Sequence, residues 1–185
     1  EVLKKIVDGF KHFSLANISC TNALLTKTKE TTAFLKDLNE QISKDDTANL
    51  YVIHGTPRLD TIGIDSISYS ASFLELISEN NFTCSLEGAF PYFEINDVIK
   101  SRIEKLGLKK VQVVPLLLVS GNHYIEDMFE IKDDLSDKFE SFIVPSLTKS
   151  EKFNLIELPM IQNIIEKNIQ NTFKMMGISH KEITY

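Results

Sequence analysis

The sequence predicts an α/β protein built on an open, mostly parallel sheet that is flanked by helices. Short apolar runs typical of buried strands alternate along the chain with longer segments whose apolar residues recur at helical spacing. The connections between these segments are short, and no internal repeat, low-complexity tract or Pro/Gly-rich linker interrupts them. Repeated βα units of this kind favour right-handed crossovers and helices on both faces of one sheet.

Five apolar runs are predicted to form strands. The clearest covers residues 111–119, whose almost unbroken apolar sequence is typical of a strand that a parallel sheet buries on both faces. We therefore expect this strand at the centre of the sheet. The other predicted strands cover residues 11–19, 50–53, 82–86 and 142–144.

Helices are predicted between these strands and after the last one. Their approximate ranges are residues 24–43, 71–78, 95–106, 125–131 and 160–175. Gly107 directly follows the third of them, where a glycine suits the C-terminal cap. The order of elements predicts a single flavodoxin-like lobe over residues 1–185, with the last helix closing it.

Composition excludes several classes of protein. With 185 residues, 43% of them hydrophobic, the chain can bury one sizeable core. No apolar run approaches the roughly 20 residues that cross a bilayer, so we expect no membrane partner. The net charge of −6 argues against nucleic-acid binding, which needs a basic face. Cys20 and Cys84 match no zinc-finger spacing, which favours free thiols in a cytoplasmic protein.

Three side chains able to bind a metal follow predicted strands. His54 comes after the second predicted strand, Glu87 after the third and His123 after the fourth. Because ligands of open parallel sheets bind outside the carboxyl ends of the strands, these three residues could converge on one ion. Imidazole and carboxylate ligands suit divalent cobalt, nickel, iron and zinc. The sequence therefore predicts a divalent-metal site with coordination positions left for a substrate.

Each residue alone also has a purely structural interpretation. His54 precedes Gly55 and could be a turn residue, Glu87 could be a solvated loop carboxylate, and His123 could cap a helix. Only the three together favour a metal site.

Two acidic residues are candidates to support the site from outside it. Glu126 and Asp127 lie three and four residues after His123, so on a helix they would share its face. Either could orient the imidazole or relay a proton, although the acidic run they begin is also typical of a solvated helix face. The chain contains no GxGxxG or GxxxxGK[ST] motif, so we expect no nucleotide cofactor.

Three segments resemble a known family. VIHGT, SLEG and VVPLLLVSGNHYIEDM are similar to stretches of the anaerobic cobalt chelatases, the sirohydrochlorin cobaltochelatases of cobalamin synthesis, within the class II chelatases. The most specific is a Pro-Leu-x-Leu-Val-x-Gly-x-His-x-x-x-Asp-Met pattern over residues 115–128. The resemblance covers residues from about 11 to 175 and implies a chelatase-like lobe.

The resemblance also implies roles for individual residues. His54 matches the active-site histidine, which would accept a proton and contact the metal, while Glu87 and His123 match metal ligands, Glu87 also acting in catalysis. The stretch between Glu87 and Pro115 is longer than in the family, which leaves Glu94 as the alternative carboxylate.

The implied function is insertion of a metal into a tetrapyrrole. Cobalt(II) and sirohydrochlorin are the expected substrates, with iron, nickel or zinc and a less acidic tetrapyrrole as alternatives. The N-terminal lobe of the family is absent from this sequence, so we expect either that lobe or a homo-oligomer partner to complete the cleft. The alternative function is a non-catalytic module of the same fold that binds a tetrapyrrole or metal without turnover.

Overall fold

The computed structural model describes residues 2–13, 15, 17–61, 63–119, 121 and 126–177. These residues form six α-helices, namely α1 (Val2–Phe13), α2 (Thr28–Ile42), α3 (Ile64–Ile77), α4 (Tyr92–Lys105), α5 (Asp127–Ser136) and α6 (Pro159–Met175). They also form the strands β1 (Thr47–Gly55), β2 (Asn81–Glu87), β3 (Lys110–Leu116) and β4 (Glu140–Ile143), and a 3-10 turn over Leu155–Glu157. None of these described helices combines the length and the apolar character needed to cross a membrane.

The four strands form one parallel sheet in the order β2-β1-β3-β4. This arrangement confirms the predicted α/β class and the open parallel sheet. The long apolar strand β3 pairs with β1 on one side and with β4 on the other, as expected for a central strand.

The chain divides into two compact units. The larger one, Leu25–Leu158, contains the whole sheet and helices α2 to α5. The smaller one combines Glu1–Leu24 with Pro159–Tyr185, and its described helices are α1 and α6.

The predicted strand over residues 11–19 is wrong. Residues up to Phe13 belong to α1, and residues 17–23 have no regular strand or helix. Leu3, Ile6 and Phe10 recur at the three- and four-residue spacing of one helix face, so the pattern that decides this region begins before residue 11.

The remaining predicted strands and helices are confirmed, with shifted ends. Helix α3 begins at Ile64 rather than near residue 71. Gly107 follows α4 with a φ of 71°, which confirms the predicted C-terminal cap. Strand β3 ends at Leu116 instead of residue 119, because the chain beyond it pairs with the 3-10 turn: the N–H of Ile156 donates to the carbonyl oxygen of Leu118 at 3.0 Å.

Helices cover both faces of the sheet. Asn81 of β2 donates through Nδ2 to Asn39 Oδ1 of α2 at 2.9 Å and to the carbonyl oxygen of Leu74 of α3 at 2.8 Å, so α2 and α3 share one face. Phe82 is the next residue of β2 and therefore points to the other face. Arg102 of α4 lies 4.9 Å from the centre of the Phe82 ring, which places α4 on that second face.

Three buried amide side chains, which we call the amide ladder, cross the amino end of the sheet. Asn49 of β1 is in register with Asn81 of β2 and with Gln112 of β3, and all three residues are buried. Asn49 Nδ2 donates to Asn81 Oδ1 at 2.8 Å, while Gln112 Nε2 donates to Asn49 Oδ1 and to the carbonyl oxygen of Ile42. Because a buried polar group without a partner costs about 1–3 kcal/mol, the ladder fixes the pairing of the three strands.

A second polar cluster joins α4 to α5. The carboxylate of Asp134 in α5 accepts hydrogen bonds from Lys100 Nζ at 2.8 Å, Tyr92 Oη at 2.7 Å and Asn96 Nδ2 at 3.3 Å. Partial burial opposes ionisation of Asp134, but the hydrogen bonds from Lys100, Tyr92 and Asn96 outweigh it and hold the pKa of Asp134 below its ordinary value. The buried Lys100 is therefore paired with an ionised partner at neutral pH.

We expect the Asn49→Leu variant to lose about 2–4 kcal/mol of unfolding free energy, because leucine has a similar volume but leaves Asn81 Oδ1 and one N–H of Gln112 without partners. Urea unfolding followed by circular dichroism measures this loss. The control is Gln41→Leu at an exposed position of α2, which should change stability by less than about 0.5 kcal/mol. Equal, small effects of the two substitutions would contradict a register-fixing role for the ladder.

The Asp134 cluster predicts a pH dependence of stability. Since the pKa of Asp134 is lower in the folded protein than in the unfolded chain, its contribution is complete above about pH 4 and is lost as the pH falls through the folded-state pKa. The stability difference between wild type and Asp134→Asn should therefore shrink on acidification below about pH 4. Unfolding titrations at several pH values measure it, and a difference that stays constant in this range would show that the carboxylate is not preferentially ionised in the fold.

Candidate functional site

His54 lies at the carboxyl end of β1, directly before the last residue of the strand. The preceding residues from Thr47 to Val52 are buried, whereas His54 is exposed. Its Nδ1 is 3.3 Å from the carbonyl oxygen of Gly55. The imidazole of His54 therefore lies at the surface, at the carboxyl edge of the sheet.

Glu87 is the last residue of the neighbouring strand β2 and is also exposed. The register pairs Glu87 with Gly55 rather than with His54. Because side chains alternate along a strand, those of His54 and Glu87 start from opposite faces of the sheet. One ion can contact both only if it lies beyond the strand ends.

The ends of β1 and β2 touch through their backbones at two glycines. A Cβ atom built on Gly55 would lie 1.9 Å from the carbonyl oxygen of Glu87, and one built on Gly88 would lie 1.8 Å from the carbonyl oxygen of Thr56. Both glycines have positive φ angles, 79° and 86°. We call this reciprocal approach the glycine contact (Gly55 and Gly88).

The other predicted site residues are placed as follows. Glu126 directly precedes α5 and is exposed, Asp127 is the first residue of α5 and is half-buried, and Glu94 is exposed in the first turn of α4. His123 lies outside the described residues. The shared helix face predicted for His123, Glu126 and Asp127 therefore stays a prediction. In the described part of the chain, no three His, Cys, Asp or Glu side chains group closely enough to hold a metal ion. The three-ligand site stays a prediction.

A cavity of about 450 Å³ lies beside the end of β3, and none of its described lining residues belongs to the predicted site. Val119 and residues of the 150–157 segment line it, with Val119 56% and Ile156 37% exposed. Thr148 Oγ1 donates to Glu157 at 2.6 Å and Asn154 Nδ2 donates to it at 3.0 Å. The Thr148 hydrogen bond lowers the pKa of Glu157, so these two donors hold an ionised carboxylate that fixes the segment.

Comparison with known protein families supplies the identity. A model of the cobalt chelatase (CbiK) family matches residues 1–174, which is most of the chain. The chain belongs to the cobalt chelatase (CbiK) family. This confirms the resemblance read from the three sequence segments, and it associates the chain with metal insertion into tetrapyrroles, the reaction of chelatases.

A solved structure has a fold similar to that of this CbiK-family chain. The crystal structure of a CbiX protein from Marinobacter aquaeolei VT8, assigned to cobalamin (vitamin B12) biosynthesis, aligns with a TM-score of 0.51 and 18% sequence identity. The alignment covers 70% of the present chain and 98% of the CbiX chain. At this identity the likeness establishes a shared α/β fold. Among curated protein sequences, none is significantly similar to the chain.

Proposed function

We propose that this protein inserts cobalt(II) into sirohydrochlorin. The observation that carries the proposal, together with family membership, is that the side chains of His54 and Glu87 are exposed at the ends of adjacent parallel strands. The carboxyl edge of an open parallel sheet is where such folds bind their ligands.

The reaction requires a base and a metal holder that gives up its ion. Two pyrrole protons leave the macrocycle as the metal enters, and the imidazole of His54 is the proposed acceptor, since imidazole is the usual general base of enzymes near neutral pH. Glu87 and His123 are the proposed holders of the cobalt ion. Fewer than four protein ligands keep the metal exchangeable, whereas a closed four-ligand site is typical of structural metals.

The surroundings of the site support a large ligand with an apolar face. Leu118, Val119 and Ile156 are exposed apolar side chains just beyond the end of β3, and the last two line the 450 Å³ cavity. Such residues suit contact with the flat face of a tetrapyrrole, whose ring carbons gain from leaving water. We propose that one edge of the macrocycle lies over this patch.

A second lobe is proposed to cover helix α1, either a preceding part of a longer chain or a second copy. Leu3, Ile6, Phe10 and Phe13 recur at helical spacing along one side of α1 and are 65%, 50%, 59% and 93% exposed. A continuous apolar helix face of this kind is usually covered by another surface. A tetrapyrrole also needs walls on both sides, which one sheet edge does not supply.

Replacing the two ligands separates their roles. We expect His54→Ala to lower the rate of cobalt insertion at least about 100-fold through loss of the base, and Glu87→Ala mainly to raise the KM for cobalt. The measurement follows the absorbance of sirohydrochlorin mixed with cobalt(II). The control is His12→Ala, at an exposed position on the polar side of α1.

Other outcomes of this assay are equally informative. Full activity of His54→Ala would refute its role, and a KM effect in Glu94→Ala but not in Glu87→Ala would move the carboxylate to Glu94. Stoichiometric binding by wild type without turnover would identify a binding module instead of an enzyme. Turnover with iron, nickel or zinc but not with cobalt would identify that ion, and not cobalt, as the metal substrate.

The proposed cover of α1 predicts association of the 185-residue chain. Light scattering after size exclusion should give a mass above 21.0 kDa for wild type, and Phe10→Asp should return it to 21.0 kDa by placing a charge on the apolar face. His12→Asp, on the polar side of the same helix, should leave the mass unchanged. Wild-type protein that is a monomer with full chelatase turnover would show that no second lobe is required.

A further inference from the structure

We propose that Gly55 and Gly88 are positioning residues that set the distance between the proposed metal ligands His54 and Glu87. The inference rests on the proposed function, because it assigns the two glycines to the same metal site. Each glycine directly follows one ligand in the sequence, and each presses its backbone against the strand end that carries the other ligand.

The glycine contact leaves no room for any side chain. Real Cβ atoms essentially never approach another heavy atom within 3.0 Å, yet a Cβ on Gly55 or on Gly88 would lie 1.9 Å or 1.8 Å from a backbone oxygen. Backbone atoms cannot rotate away as the end of a flexible side chain can. Substitution of either glycine must therefore move the new Cβ and the opposing backbone oxygen apart by more than 1 Å, from 1.9 Å to at least 3.0 Å at Gly55, and we expect the two strand ends to separate as a result.

The end of β2 is also held from its other side. The N–H of Ser85 donates to the carbonyl oxygen of Phe90 at 3.0 Å, and Ser85 forms an isolated parallel bridge with Pro91. Ser85 is in register with Ile53 of β1. The segment that presents Glu87 is thus fixed between β1 and the chain that follows it, and the glycine contact determines its closest approach to β1.

This spacing matters because the two ligands start from opposite faces of the sheet. They can share an ion only beyond the strand ends, where each side chain must reach a fixed point from a fixed backbone position. Bonds from a divalent metal to imidazole nitrogen or carboxylate oxygen are about 2.0–2.2 Å long and tolerate deviations of about 0.2 Å. A separation of the strand ends by more than 1 Å exceeds that tolerance.

Another glycine of the chain provides a matched control. Gly107 has a positive φ of 71°, close to those of Gly55 and Gly88, but a Cβ built on it would meet nothing within 4 Å. Alanine at Gly107 therefore carries the backbone strain of a left-handed conformation without the steric contact.

The experiment compares Gly55→Ala, Gly88→Ala and Gly107→Ala in the 185-residue chain. Cobalt(II) affinity is measured by isothermal titration calorimetry, and thermal unfolding and the KM for cobalt are measured alongside. We expect the first two variants to bind cobalt(II) about 10-fold to 100-fold more weakly and to raise its KM, as for other changes outside the ligand shell of a metal site. Gly107→Ala should lower the melting temperature while its cobalt(II) affinity stays within about twofold of wild type.

The double variant adds a test of reciprocity. Because the first alanine already separates the strand ends, the combined loss of affinity in Gly55→Ala with Gly88→Ala should be smaller than the product of the single losses. Losses that multiply would indicate two independent effects and would overturn the shared contact.

If the alanine variants do not fold, a variant that keeps both glycines tests whether cobalt(II) binding is sensitive to the distance between the ligands. Glu87→Asp shortens the reach to the ion by one methylene, so it should weaken cobalt(II) binding by a similar factor without lowering stability. Unchanged affinity in folded Gly88→Ala would overturn the positioning role alone. Unchanged affinity in Glu87→Asp would instead show that Glu87 does not bind the ion, and would overturn that ligand assignment and this inference together. Wild-type protein that binds no cobalt(II) would instead overturn the proposed function and this inference with it.

Discussion

The amide ladder is the constraint on which the rest of the larger unit depends. Asn49, Asn81 and Gln112 bond to one another across three neighbouring strands, and Asn81 and Gln112 also reach the backbone of α3 and α2. A slip of one strand by one residue would turn its amide to the other face and leave buried donors unpaired. The ladder therefore fixes the register of the three strands. This register in turn determines which residues of β1 and β2 lie next to each other at the carboxyl ends of these strands.

The two ends of strands β1 and β2 are held in different ways. At the amino end, the buried amide side chains of the ladder form hydrogen bonds between the strands. At the carboxyl end, the backbone itself makes the close contact at Gly55 and Gly88. This division suits a binding site, because the close contact is made by backbone atoms and not by the side chains of the proposed ligands His54 and Glu87.

The Asp134 cluster joins two helices of the larger unit. Tyr92, Asn96 and Lys100 of α4 all bond to Asp134 of α5, so the two helices are tied together. Helix α4 begins five residues after Glu87, and α5 begins four residues after His123 in the sequence. The ion pair and its hydrogen bonds therefore connect the helix that follows Glu87 to α5.

The sequence by itself determined the α/β class, four strands, the helices between them, the family, and the location of His54 and Glu87 at strand ends. Each of these follows from patterns within a few residues or from a local motif. The helix over residues 11–13 also follows from the local pattern of Leu3, Ile6 and Phe10, which the strand prediction overlooked. Tertiary structure decided that β3 stops at Leu116, which amides pair, and that Gly55 meets the segment around Gly88. The glycines themselves are visible in the HG and EG dipeptides, but their contact is not. Hydrophobic periodicity is a property of the local chain, whereas pairing and close approach join residues 30 or more positions apart, as in Asn49 with Asn81, and are set by packing.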